Sequence, residues 1–257
     1  YSSYLMDCHL RLNTISTYMR MLRCIYNRGV DMHQTPYVHR MFRDVFTGID
    51  TRQKKAIPIN ELHTLLNEDP QSDKLRRTQA IANLLFLFCG MPFVDLAYLE
   101  KSNLEGNMLK YNRAKTGIPM NVEILDSAAT IISQLRNKHT TVLPEHPDYL
   151  FYILSGKNKR SDEAGYKEYQ SALRCFNNDL KSLARKLCIR SSVTSYTFRH
   201  SWATTAKYRG VPIEMISESL GHKSIKTTQI YLKGFELSER TKVNRLNYSY
   251  VMNFKTI

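Results

Sequence analysis

The sequence predicts a mainly α-helical chain with one small antiparallel β-sheet, and three observations carry that prediction. Apolar residues recur at three- and four-residue intervals along most of the 257 residues, which is the helical period. One stretch, "NMLKYNRAKTGIPMNVEI" (107–124), instead approaches period-two alternation on either side of "AKTG", as a hairpin or a three-stranded sheet requires. Glycine and proline punctuate the helical runs, with Gly29, Gly90 and Gly221 after their ends and Pro92 and Pro212 at new starts.

The elements follow in order. Ile15, Tyr18, Met19, Leu22, Ile25 and Tyr26 fall at helical spacing, with Gly29 as the expected stop. Arg11, Arg20, Arg23 and Arg28 occupy the other face. A short second helix is expected over Tyr37 to Phe46. The next segment, "TGIDTRQKKAIP", is polar and basic without apolar periodicity, and reads as a linker. The expected division is therefore a small helical domain over 1–50, a basic linker over 51–57 and a larger domain over 58–257. Because the chain begins at Tyr1 rather than Met, the first domain is expected to be truncated at its N-terminus.

In the larger domain Asn60 is the expected N-cap of "ELHTLL". A strong helix is expected from Asp73 to Cys89, followed by Gly90, and Pro92 admits a further helix through "FVDLAYLE". After the strand-like stretch, helical patterns resume from Asp126 to Lys138. Tyr169, Leu173, Phe176, Leu180, Leu183 and Leu187 mark a long helix over Tyr166 to Leu187. Three more are expected: Tyr196 to Arg209, Pro212 to Leu220, and Thr228 onward. Internal repeats and low-complexity tracts are absent from the sequence.

Composition narrows the function. Lys and Arg number 37 against 23 Asp and Glu, a net charge of +14, and the pI is near 9.6. This surplus points to a polyanionic partner, with counterion release from nucleic acid as the driving force; a generally basic surface is the alternative. The longest nearly apolar run, "AIANLLFLFCGM", falls short of the roughly 20 residues that span a bilayer. No signal peptide is visible. Five cysteines without a C-x-x-C pair argue against a disulfide framework or a zinc ribbon, and for a reduced, cytoplasmic compartment. The eight histidines show no metal-ligand spacing.

The segment from Thr194 to Phe235, "TSYTFRHSWATTAKYRGVPIEMISESLGHKSIKTTQIYLKGF", is where chemistry concentrates. Its helices and stops could bring Arg199, His222 and Tyr231 together. Taken singly, each residue has a plainer reading. An arginine at a helix start is ordinarily a surface partner of a phosphate or carboxylate. A histidine after a helix-stopping glycine is ordinarily a local cap, and a tyrosine between Ile230 and Leu232 is ordinarily core.

Together they resemble the C-terminal signature of the tyrosine recombinase, or phage integrase, family: H-x-x-R, then "LGH" some two dozen residues on, then "TT-x-x-Y". Arg199 precedes His222 by 23 positions, and His222 precedes Tyr231 by 9. The run "RHSWAT…GVPI..ISE.LGH.S.KTT.IYLK" is similar to integrases on mobile elements of Bacteroides-like bacteria. The resemblance implies an integrase catalytic fold preceded by a helical core-binding, DNA-binding domain. It implies a site-specific recombinase acting on double-stranded DNA as a tetramer on paired sites, without metal or nucleotide cofactor. A bacterial, nucleoid-associated location and no membrane follow from it.

By this resemblance Tyr231 is the nucleophile that forms a 3′-phosphotyrosyl bond and releases a 5′-hydroxyl. A phenol with an ordinary pKa of about 10 needs cationic help at neutral pH, and covalent storage of the phosphodiester removes any need for ATP. Arg199 is expected to hold phosphate oxygens where charge accumulates, His222 to donate a further hydrogen bond, and Lys115 of "NRAKTG" to act as general acid for the departing 5′-oxygen. Tyr196 stands at the family's first histidine position. Trp202 and His200 are assigned to packing. Arg20, Arg23, Lys54, Lys55 and Arg113 are expected to contact DNA, positioning the protein without specifying sequence.

One departure stands out. The family's first active-site arginine lies just before, or two residues after, the glycine that this sequence carries at Gly90, and those places hold Cys89 and Pro92. Arg113 is a possible substitute charge. The loss motivates a rival from another class, an integrase-fold DNA-binding protein without turnover. A type IB topoisomerase shares the chemistry but acts as a monomer, and the C-terminal motif argues against it.

Overall fold

The computed structural model describes residues 1–48, 56–136, 147–232 and 237–252. Two compact units divide the chain, Tyr1–Gln53 and Lys54–Ile257. Among the described residues the elements are mainly helical, with one three-stranded antiparallel sheet.

The first unit contains α1 (Ser2–Asp7) and α2 (Leu12–Asp31). Leu5, Ile15 and Met19 form its small core, covered by Phe42 and Val45. Tyr18, Leu22 and Ile25 belong to the same predicted apolar face but stay exposed. Gly29 does not stop α2. The helix runs to Asp31, and His33 at φ 55° takes the left-handed role instead; one interior glycine costs only about 1 kcal/mol relative to alanine. The helix expected over Tyr37 to Phe46 is a series of turns. Arg40 sits at φ 59° within it, and the Tyr26 hydroxyl fixes its start by donating to Pro36 O and accepting from Val38 N–H. Apolar residues at helical spacing here serve a turn that folds over α2.

The second unit is organised around α4 (Asp73–Leu87), which packs against α3 (Ile59–Asn67), α6 (Asp126–Leu135), α7 (Glu163–Lys186) and α8 (Thr197–Tyr208). Leu84 and Leu85 are fully buried there, as are Leu180 and Leu183 of α7. Pro58, not Asn60, stands at the N-cap of α3, so Asn60 falls in its first turn. Pro92 likewise caps α5 (Phe93–Ala97), and the Phe93 ring stacks on Phe176 of α7 at 4.7 Å. Strands β1 (Leu104–Glu105), β2 (Met108–Asn112) and β3 (Pro119–Glu123) form the sheet in that order, with Tyr111 opposite Met120. Helix α6 ends at Leu135, and the end predicted at Lys138 lies outside the described residues.

Three further helices follow: the short α9 (Ile213–Ser219) and α10 (Ile225–Tyr231), and the longer α11 (Leu237–Met252). The expected start at Thr228 moves back to Ile225, because Ser224 caps α10 by accepting from Lys226 N–H at 3.3 Å. Ala203, Ile216 and Leu220 form a separate small core with Trp202 packed on it.

Candidate active site

The turn between β2 and β3 meets the loop between α9 and α10, and Arg113, Lys115 and Arg199 gather near that meeting. Thr116 Oγ1 donates to Gly221 O at 3.3 Å. A Cβ on Gly221 (φ +62°) would stand 2.8 Å from Met120 Sδ and 2.9 Å from Arg113 Cγ. Only glycine allows this approach at that backbone conformation.

Arg199, third residue of α8, is 2% exposed and is not the surface arginine that its position alone suggests. Its Nη1 donates to Gly90 O at 3.0 Å, and its Nη2 donates to Leu220 O. Nη2 also lies 3.0 Å from His222 Nε2. Gly90, at φ +69°, permits the first contact, because a Cβ there would stand 2.9 Å from Arg199 Cα. The glycine after α4 therefore does more than end a helix: it brings a carbonyl onto a buried guanidinium.

His222 is half-buried. Its Nδ1 lies 2.8 Å from the hydroxyl of Thr228, which is fully buried in α10. Burial, then the charges of Arg199, Arg113 and Lys115, pull its pKa down to about 4. That order has a geometric meaning, since all three cations bear on one imidazole. Lys115 is exposed on the hairpin turn. Gly117 closes that turn at φ +71°, donating its N–H to Arg113 O at 2.8 Å, while Arg113 N–H donates to Ile118 O at 2.9 Å.

Arg113, expected to contact DNA, is drawn into the interior of the unit. It is 5% exposed, and its Nη1 donates to Asp95 Oδ2 at 2.6 Å in a pair whose carboxylate is fully buried. The reason is parity. Leu109 and Tyr111 face the core from β2, and Arg113 is the next residue on that face. Its Nε is buried without a hydrogen-bond partner.

The remaining predicted residues divide. Tyr231 is the last residue of α10, three after Thr228. Tyr196 is the N-cap of α8, partly exposed, with its ring 5.6 Å from that of the buried His200. Arg20 and Arg23 are exposed on α2, and Arg20 Nε donates to Ser16 O at 3.3 Å. Lys54 and Lys55 lie outside the described residues. Cys89 is half-buried at φ 55° with its thiol pKa raised by burial.

Two residues of this cluster have roles that the motif reading does not assign. Asp95 holds the hairpin at two points, through Arg113 and through Ala114 N–H, which donates to Oδ1 at 2.9 Å. Its signal was a lone carboxylate within "FVDLA", a position that a buried helix fills only when the charge is paired. Thr228 is the second threonine of the "TT-x-x-Y" motif, six residues after His222, and the motif alone gives it no role. Among the described residues, no group of three or more His, Cys, Asp or Glu could hold a metal ion. None of the described helices is long and apolar enough to cross a membrane. The cluster amounts to two buried guanidinium groups and an exposed ammonium around an imidazole, an arrangement suited to a phosphate-sized anion.

A family profile described as "Phage integrase family" matches residues 55–236. The chain is 30% identical over 195 residues to tyrosine recombinase XerA of Pyrococcus furiosus, covering 75% of this chain and 62% of that protein. It is 24% identical over 226 residues to tyrosine recombinase XerD of Listeria monocytogenes, covering 85% of this chain and 70% of that one. Among solved structures, the Tn1549 transposon integrase in complex with a circular intermediate DNA gives a TM-score of 0.66 at 13% identity, over 95% of this chain and 82% of that one. The site-specific recombinase XerH bound to a palindromic difH substrate gives 0.65 at 16%, over 98% and 70%. At these identities the two structures bear on the fold: a mainly helical chain with a small antiparallel sheet, as the sequence predicted.

Proposed function

The chain belongs to the phage integrase family, and on that premise we propose that it is a site-specific recombinase that breaks and rejoins double-stranded DNA through a 3′-phosphotyrosyl intermediate. The observation that carries the reading is the gathering of Arg199, Arg113 and Lys115 around His222, on a loop that leads within nine residues to Tyr231. In this reading the Tyr231 hydroxyl gives up its proton to solvent as its oxygen attacks the scissile phosphorus and forms the phosphotyrosyl bond. The bond from phosphorus to the 5′-oxygen breaks, and Lys115 gives that oxygen a proton. Arg199 and His222 hold the non-bridging oxygens as charge accumulates on them. Reversal by the exchanged strand's 5′-hydroxyl reseals the DNA.

Arg113 answers the gap at Cys89 and Pro92. The second guanidinium enters from the hairpin rather than from the end of α4, held by Asp95 and left with a buried Nε–H that a phosphate oxygen would satisfy. Unpartnered buried donors are costly, and this one adjoins the Gly221–His222 loop. The burial of Arg113, together with relatives named as recombinases, favours turnover over the rival DNA-binding protein without it.

Arg20 and Arg23, with Lys54 and Lys55, are read as phosphate contacts of a core-binding domain over 1–50 and its linker over 51–57, joined to a catalytic domain over 58–257. A tetramer on paired sites, association with the bacterial nucleoid, and a subgroup of mobile-element integrases from Bacteroides-like bacteria complete the reading. Similar proteins captured with DNA support the first contacts, and the "RHSWAT…" run supports the subgroup. The test is a nicked suicide duplex carrying the protein's site. A covalent protein–DNA adduct on a denaturing gel, absent in Tyr231→Phe, is expected; DNA binding without an adduct would refute the proposal.

A further inference from the structure

The hydrogen bonds around His222 define its protonation state, and that state does not match the donor role just given to it. A guanidinium has donors only, so the 3.0 Å contact from Arg199 Nη2 makes His222 Nε2 an acceptor. The ring proton then sits on Nδ1 and is donated to Thr228 Oγ1 at 2.8 Å. Arg199, Arg113 and Lys115 are the charged groups that face the ring, and all three oppose a second proton on it. DNA-free His222 is thus a neutral imidazole whose site-facing nitrogen accepts. Donation to a phosphate oxygen requires the proton on Nε2.

We infer that Thr228 is a positioning residue that lets His222 change tautomer when phosphate enters the site, its hydroxyl turning from acceptor of Nδ1–H to donor to Nδ1. A hydroxyl serves both tautomers because it both accepts and donates. Thr228 is fully buried, so its hydroxyl is the resting partner of Nδ1 in both tautomers. The proton count is unchanged: water that reaches the half-buried ring gives Nε2 a proton and carries away the one on Nδ1, and the ring remains neutral. The phosphate oxygen accepts from Nε2–H while Arg199 Nη2 turns its own donor from the ring to the phosphate. His222 and Arg199, which satisfy each other in the empty site, then both point donors at the same anion. The second threonine of "KTTQIY" couples occupation of the site to the readiness of His222.

This inference rests on the recombinase reading for its consequence in cleavage, but the tautomer is observable without cleavage. The experiment records ring-nitrogen chemical shifts of His222 in nitrogen-15-labelled full-length protein, alone and with a short mixed-sequence duplex at low salt. Wild type, Thr228→Ser and Thr228→Val are compared, each also assayed for adduct on the suicide duplex. Wild type and Thr228→Ser are expected to carry the proton on Nδ1 alone and on Nε2 with DNA. Thr228→Val, which removes only the hydroxyl, is expected to lose the fixed Nδ1–H form and to slow adduct formation about tenfold, the scale of one hydrogen bond. An Nε2–H form in the DNA-free protein, or an unchanged response in Thr228→Val, would overturn it. Should Thr228→Val fail to fold, a wild type whose tautomer ignores DNA overturns it equally. A normal tautomer change without any adduct refutes the enzyme reading and leaves Thr228 in its role.

Discussion

Two arginine-bearing regions of this chain use the same side chain in opposite ways. On α2, Arg20 and Arg23 are exposed, and the bond from Arg20 goes only to its own helix. In the second unit, Arg199 and Arg113 are 2% and 5% exposed, and each is fixed by groups remote in sequence: Gly90 and Leu220 for one, Asp95 for the other. Exposed arginines add positive potential, which is screened by salt and little affected by which arginine supplies it. Buried arginines act at one point in a region of low dielectric, where position decides the effect. A net charge of +14 therefore describes two populations. In the proposed reading one holds DNA, and the other acts on a phosphate.

The largest effect expected from this contrast lies at Asp95. Asp95→Ala leaves Arg113 charged and buried without its partner, at a cost of about 3–5 kcal/mol, measurable by urea unfolding. Next comes Arg199→Ala, expected to slow adduct formation by about 10²–10³-fold, the loss of one preorganised donor group, with DNA affinity nearly retained in a gel-shift assay. A loss of affinity instead of rate would move Arg199 into the population of α2.

The third effect is one of pH. His222 has a folded pKa of about 4, against an ordinary value of about 6.5, so the unfolded chain binds the proton more readily. Its contribution to stability is full above pH 6.5 and falls as pH drops from there through 4. His222→Gln should flatten that part of the stability curve relative to wild type, and an unchanged slope would place the ring in solvent. The smallest effects belong to α2. Arg20→Gln and Arg23→Gln should leave stability within about 0.5 kcal/mol and weaken DNA binding alike across sequences, each lowering the salt dependence by about one counterion. A larger loss of stability from either would erase the contrast.

Much of this was legible in the sequence, and the parts that were not share a cause. Helices α4, α7 and α8 follow from apolar period because each presents one stripe to a common core. The Tyr37 to Phe46 segment has that period but folds as turns, since Phe42 and Val45 need only reach one small cluster of α1 and α2. Gly29 resembled a stop and is helix interior, because a single glycine is too weak a signal to end a 20-residue helix. In the site, Arg199, His222 and Lys115 came from the family motifs, yet the burial of Arg199 and its contact with His222 did not. Arg113 was legible by parity with Leu109 and Tyr111 once the strand was drawn. Asp95 and Thr228 act through partners 18 and 6 residues away, and a linear pattern does not report which side chains a fold will bring to a hydrogen bond.

The central claim is that a buried guanidinium on the hairpin does the work of the arginine absent at Cys89 and Pro92. Single-turnover adduct formation on the suicide duplex tests it most directly, in wild type, in Arg113→Ala, and in Arg113→Ala combined with Cys89→Arg. The account predicts a fall of about 10²–10³-fold in the single variant and partial recovery when the charge returns from the end of α4. Adduct formation by Arg113→Ala at the wild-type rate would contradict it.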